Sequence, residues 1–128
     1  MVLIDTSVWI DYFQTAESSH ASALQFLIRD NNRAMICGII LQEVLQGIRD
    51  EKSYTLTKDR LSRLPYLEID KDTYVYASSL YRILRTKGIT VPPVDVTLAG
   101  LAVQRDIPLY TRDEHFKAIA KHSGLKLY

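Results

Sequence analysis

Met1-Val2-Leu3-Ile4-Asp5-Thr6-Ser7-Val8-Trp9-Ile10-Asp11 opens the chain with four apolar residues, an acid, two hydroxyls and then a helical pattern. A short apolar run bounded by cap residues reads as a buried strand. Val8, Trp9, Tyr12 and Phe13 then fall on one helix face, so residues 2–5 predict a strand and Ser7 to Gln14 a helix. The acid stands where one hands over to the other. Three more acids occupy comparable places. Glu43 lies one turn into the helix after Arg33-Ala34-Met35-Ile36-Cys37-Gly38, Asp95 opens the apolar helix after Pro92-Pro93, and Asp113 closes Ile107-Pro108-Leu109-Tyr110-Thr111.

The rest of the chain repeats this alternation without linker or internal repeat. Ser18-Ser19 begins a helix to about Asn31, with Leu24, Leu27 and Ile28 on one face, and Ala34–Cys37 is the second strand. Ile40, Leu41, Val44, Leu45 and Ile48 form the apolar stripe of the next helix. A more polar helical pattern covers Glu51 to Leu64, Pro65 breaks it, and Tyr66–Ile69 reads as a short strand. Asp72 to Lys87 predicts a long helix stopped by Gly88. A helix follows Pro92-Pro93, Pro108–Thr111 is a strand, residues 113–122 the last helix and Leu125–Tyr128 a closing edge strand. Such alternation predicts a three-layer α/β/α sandwich on a mainly parallel sheet, folded as one domain over residues 1–128.

In an open parallel sheet, ligands bind beyond the carboxyl ends of the strands. That edge would gather Asp5, Glu43, Asp95 and Asp113, and clustered carboxylates call for a cation. Asp95 makes the sharpest case: it shares a face with Leu98, Ala99 and Ala102, where an unpaired carboxylate would take up a proton. Glu43 lies beside Ile40 at the edge of its stripe, with Gly47 one turn on leaving room for close approach. Asp5 has an ordinary alternative as a helix N-cap, a role that Thr6 or Ser7 could fill alone, leaving Asp5 at the strand tip to point into the cleft. Thr111-Arg112-Asp113-Glu114 also fits a capping box, in which Asp113 is only a first-turn acid. Hard oxygen donors suit Mg²⁺ or Mn²⁺, with Thr6, Ser7 and Thr111 as hydroxyls to hold the carboxylates or ordered water.

Charge and composition narrow the alternatives. The net charge is +1, but without the four acids, which carry −4, the chain is +5, and two divalent ions would return the loaded protein to that value. A polyanionic substrate is therefore compatible with an unremarkable total. No apolar stretch reaches a membrane span and no leader pattern precedes Val2, so a cytoplasmic protein is expected. Cys37, the one cysteine, sits in an apolar strand and reads as a buried hydrophobe. His20, His115 and His122 have no nucleophile at a recognisable spacing; Asp113-x-His115 offers a metal pairing, although a surface histidine is favoured. Tyr74, Tyr76 and Tyr81 read as core or interface, and Trp9, Tyr12 and Phe13 as exposed aromatic surface.

At these residues the chain resembles the PIN-domain family, in particular VapC-type ribonuclease toxins of toxin–antitoxin pairs. The resemblance spans the whole length. It is carried by Val2–Asp11, by Leu41-Gln42-Glu43-Val44, by Asp95-Val96-Thr97-Leu98-Ala99-Gly100-Leu101-Ala102 and by Thr111-Arg112-Asp113-Glu114-His115-Phe116. Pro92-Pro93, Thr97 and Gly100 depart from the usual pattern. The resemblance implies a Mg²⁺- or Mn²⁺-dependent endoribonuclease that cleaves RNA with metal-activated water at Asp5, Glu43, Asp95 and Asp113. It also implies a homodimer and a small cognate antitoxin. Arg112, Lys117, Arg85 and Lys87 are candidate RNA phosphate contacts. Two other readings compete: a non-catalytic RNA- or protein-binding module, and a phosphotransferase with Asp5 as nucleophile. Haloacid dehalogenase-like enzymes place a second acid two residues later, where this chain has Ser7.

Overall fold

A computed structural model of the chain describes residues 1–15, 17–30 and 32–128. Its elements run β1 (Val2–Ile4), α1 (Thr6–Gln14), α2 (Ser19–Arg29), β2 (Ala34–Cys37), α3 (Gly38–Gln46), α4 (Glu51–Leu61), β3 (Tyr66–Leu67), α5 (Lys71–Thr86), α6 (Pro93–Gln104), β4 (Leu109–Tyr110) and α7 (His115–Lys121). The strands form one parallel sheet in the order β3-β2-β1-β4, with Leu3 opposite both Met35 and Leu109.

That order fixes the layers. From β1 to β2 to β3 the chain steps one way across the sheet, and from β3 to β4 it steps back past all of them. Parallel crossovers are right-handed, so α1 to α4 cover one face and the α5–α6 pair the other. The helix contacts agree: α1 packs on α2 and α3, α3 on α4, and α5 on α6, which also meets α7. Val2, Leu3 and Ile4 are all 0% exposed, as a central strand covered on both faces must be. The α/β/α sandwich expected from the sequence is present.

Local chemistry explains most boundaries. Ser18 caps α2 through its side chain and Asp70 caps α5, each accepting the backbone N–H three residues on. The expected end of α2 near Asn31 lies outside the described residues, and the helix closes at Arg29. Gly88 takes φ +73° after α5, with Gly88 N–H on Arg85 O and Ile89 N–H on Leu84 O, both at 3.0 Å. This is a Schellman stop that only a residue without Cβ enters without strain. Pro93 starts α6 at its first position. From Asp95 to Ala102 every residue of α6 is buried. A side chain on Gly100 would stand 3.1 Å from Tyr76 Cδ1, so α5 and α6 approach closely there.

Two expectations change. Leu125–Tyr128 makes one parallel bridge, Leu127 to Leu109, rather than an edge strand. Its backbone meets β4 through Leu109 N–H to Lys126 O and Tyr128 N–H to Leu109 O, each 2.9 Å. Trp9 is 2% exposed, part of an aromatic cluster in which it stacks on Phe13 at 6.1 Å; of that trio Phe13 alone is well exposed, at 39%.

Candidate metal centre

β1 lies at the switch point of the sheet. The connections leaving β1 and β4 turn to opposite faces, which opens a crevice beyond their carboxyl ends. Asp5 stands at the tip of β1, its amide held by Tyr110 O at 2.9 Å. It occupies the position that would cap α1, yet its side chain makes no capping bond. Instead Asp5 Oδ2 accepts the hydroxyls of Ser7 and Thr111, both at 2.8 Å, and the residue is 7% exposed. The capping alternative for this carboxylate is gone.

Glu43 projects from the second turn of α3, where Thr6 donates its hydroxyl to Oε1 at 3.0 Å. Beside it, Gly47, Val44, Ile10 and Phe13 border a cavity of about 380 Å³. All three hydroxyls singled out from the sequence thus donate to candidate acids.

Asp95 lies in the first turn of α6 and is 9% exposed. Burial foremost, then the charges of Asp113 and Asp5, push its carboxyl up to about 6, and the His115 hydrogen bond pulls part of the way back. His115 Nδ1 is 3.2 Å from Asp95 Oδ2 and 3.1 Å from Asp113 Oδ1. The donor atoms of Asp95, Asp113 and His115 lie within 4.8 Å of one another.

Asp113 departs from the capping box. Helix α7 begins at His115, not at residue 113, and Glu114 at its cap makes no side-chain capping bond. Thr111 Oγ1 accepts the Asp113 amide at 2.9 Å, and Asp113 Oδ1 accepts the His115 amide at 3.1 Å. Two tight side-chain turns therefore replace the box, and they leave the carboxylate in the crevice.

The basic residues are placed differently from one another. Arg112 donates to Asp11 Oδ1 at 2.6 Å, and Ser18 donates its hydroxyl to the other oxygen of this buried acid. Lys117 pairs with Glu114 at 2.8 Å on the surface. Arg85 lies 5.9 Å over the Tyr81 ring, and Lys87 closes α5. Because α5 and α6 run antiparallel, Thr73 meeting Gln104 at one end, Arg85 and Lys87 stand at the end of the pair that carries Asp95.

Sequence reasoning passed over Asp11 and undervalued His115. Asp11 sits in a helix with an apolar face, and nothing in the sequence pairs it with Arg112, a hundred residues on. His115 had a signal, its place two after Asp113, and although its side chain is 54% exposed it meets both carboxylates. Cys37 is buried as expected, and burial raises its thiol.

The donor set suits a hard divalent ion: carboxylate oxygens dominate, and at Asp95, the most buried of the crowded pair, burial disfavours a charge that a cation would compensate.

Comparison with known proteins places the chain. The PIN domain family model matches residues 2–122. Ribonuclease VapC11 of Mycobacterium tuberculosis is 32% identical over 129 aligned positions, covering 98% of this chain and 96% of that protein. Ribonuclease VapC1 of Methanocaldococcus jannaschii is 27% identical, covering 99% and 86%. Among solved structures, VapBC2 from Rickettsia felis bound to a promoter DNA fragment superposes with TM-score 0.82 at 23% identity, over 100% of this chain and 98% of that one.

Proposed function

This chain belongs to the PIN-domain family, and we propose that it is a metal-dependent endoribonuclease, the toxin of a toxin–antitoxin pair. The observation that carries the reading is the meeting of Asp95, Asp113 and His115 donor atoms within 4.8 Å of one another, where burial first and the charges of Asp113 and Asp5 second raise the Asp95 carboxyl. The curated relatives, named as ribonucleases, support RNA as the substrate.

Asp5 and Asp95 would hold the ion directly, Mg²⁺ or Mn²⁺, with Glu43 and Asp113 completing the site. When bound, such an ion supplies a Lewis acid for the phosphodiester and makes water acidic enough to attack at neutral pH. The chain supplies the rest. Ser7 and Thr111 fix the rotamer of Asp5, and Thr6 fixes Glu43, so that carboxylate oxygens need no reorganisation when substrate arrives. Arg85 and Lys87, at the Asp95 end of the α5–α6 pair, would meet backbone phosphates. Arg112 would serve a phosphate only by leaving Asp11, and Lys117 only by leaving Glu114. A small antitoxin, a homodimer and a cytoplasmic setting belong to the same reading; no helix among the described residues is long and apolar enough to cross a membrane.

The test is cleavage of single-stranded RNA by purified protein, with and without a chelator. Asp5→Asn and Asp95→Asn are each expected to lose about 10²-fold or more in rate while keeping native circular dichroism. Full activity in either variant, or in excess chelator, would sink the proposal. A binding module without catalysis would instead bind RNA unchanged in both variants.

A further inference from the structure

Resting on the divalent-ion reading above, we propose that His115 is itself a metal ligand and that its imidazole nitrogen makes the site favour Mn²⁺ over Mg²⁺. The donor spacing points to it. Donors about 2.1–2.2 Å from an octahedral ion stand about 3.0 Å apart on neighbouring corners. His115 Nδ1 is 3.2 Å from Asp95 Oδ2 and 3.1 Å from Asp113 Oδ1, and all three donor atoms lie within 4.8 Å of one another. The two separations from His115 match edges of one coordination polyhedron.

Hydrogen bonding alone serves this arrangement poorly. Nδ1 carries at most one proton, and one N–H cannot point well at two carboxylates at once. A cation among the three atoms would serve both acids and the nitrogen lone pair together. The backbone holds the ring in place, because the His115 amide bonds Asp113 Oδ1 and the next residue, Phe116, is anchored in the core at 1% exposure. The other histidines are employed elsewhere or stand clear: His20 Nδ1 meets Tyr110 Oη at 2.9 Å, and His122 closes α7.

The consequence is selectivity. Mg²⁺ takes oxygen donors and keeps its waters, whereas imidazole adds affinity for Mn²⁺ and later first-row ions. A four-acid site would treat Mg²⁺ and Mn²⁺ more evenly than a site with a nitrogen corner.

The experiment uses the full chain freed of metal. Calorimetry with Mn²⁺ and with Mg²⁺ compares wild type, His115→Ala and the control His122→Ala, and pulsed electron paramagnetic resonance reads nitrogen coupling to bound Mn²⁺. Wild type is expected to show that coupling. His115→Ala should lose it and bind Mn²⁺ at least about tenfold more weakly, with Mg²⁺ affinity within about twofold. His122→Ala should match wild type. Absence of nitrogen coupling in Mn²⁺-loaded wild type overturns the inference, as does an equal fall for both ions in His115→Ala, which would mark a merely structural role. If that variant does not fold, histidine-specific nitrogen isotope labelling of wild type decides, because the coupling must change with the isotope. Wild type that binds neither ion at millimolar concentration defeats the divalent-ion reading itself, a result distinct from all of these.

Discussion

The two halves of the crevice are built on opposite principles. On the β1–α3 side, Asp5 and Glu43 are furnished with partners: Asp5 Oδ2 takes two hydroxyls at 2.8 Å and Glu43 takes one at 3.0 Å. On the α6–α7 side, Asp95 and Asp113 share one histidine nitrogen, and the Asp95 carboxyl is pushed up to about 6. The first half is settled without a cation and the second is not. Carboxylates that look equivalent as functional candidates therefore play unequal parts in stability.

The sharpest way to break this contrast uses the two Asp→Asn variants. Both should lose most cleavage, but their effects on the metal-free fold should have opposite signs. Asp95→Asn removes a charge that the site resists, and should stabilise the metal-free protein at pH 7 by about 1–2 kcal/mol, a few degrees in Tm. Asp5→Asn weakens two charge-assisted hydrogen bonds and should lose about 1 kcal/mol. Thermal denaturation in chelator reads both, and two shifts of the same sign would erase the distinction.

The pH dependence follows from the same asymmetry. The Asp95 carboxyl is raised from 3.8 to about 6 in the fold. As pH rises from about 4, the unfolded chain releases this proton while the folded chain keeps it, so stability falls until the folded group has ionised near pH 6. After allowance for solvent screening, the loss is on the order of 1–2 kcal/mol. Denaturant titrations from pH 4 to 7 should show it in wild type and not in Asp95→Asn. Divalent ion should offset it, adding about 2.7 kcal/mol at a hundred times its Kd.

A smaller effect tests the seam between the halves. Thr111 donates to Asp5 at 2.8 Å and accepts the Asp113 amide at 2.9 Å, so it touches both sides. Thr111→Val should cost about 1–2 kcal/mol, and Thr6→Val, which frees Glu43 alone, about half that. Equal losses on denaturation would argue against the seam. Smallest of all, Lys117→Ala removes an exposed ion pair with Glu114 and should leave Tm unchanged.

Much of this was legible in the sequence because it is local. The Gly88 stop and the extent of β2 need only neighbours along the chain, as does part of the α3 stripe: Ile40 and Val44 are buried, Leu41 and Leu45 half-buried, and Ile48 lies beyond the helix end. Asp5 and Asp95 were legible for a related reason: a strand tip and an apolar helix start say where a carboxylate must be. Asp113 was ambiguous because Thr111 and Glu114 spell a capping box, and only the fold shows Thr111 engaged with Asp5 instead. The Asp11–Arg112 pair and the His115–Asp95 contact depend on segments that meet only in the fold, where spacing along the chain carries no information; the Asp113-x-His115 spacing signalled only the other half of the histidine's contacts. The expected edge strand at 125–128 shrank to a bridge because only Leu109 offers it backbone partners.

The close approach at Gly100 has a bearing on Asp95 that reaches beyond packing. Each residue turns an α-helix by about 100°, and residues 95–102 of α6 are all buried, so apolar burial alone does not set which way the helix faces. Gly100 adds a steric key to the Gln104–Thr73 bond: a Cβ there would stand 3.1 Å from Tyr76 Cδ1, so the helix lies this near α5 with its glycine against the ring. The glycine thus acts as a keyway, holding the angular phase of α6 and with it the bearing of the carboxylate five residues earlier.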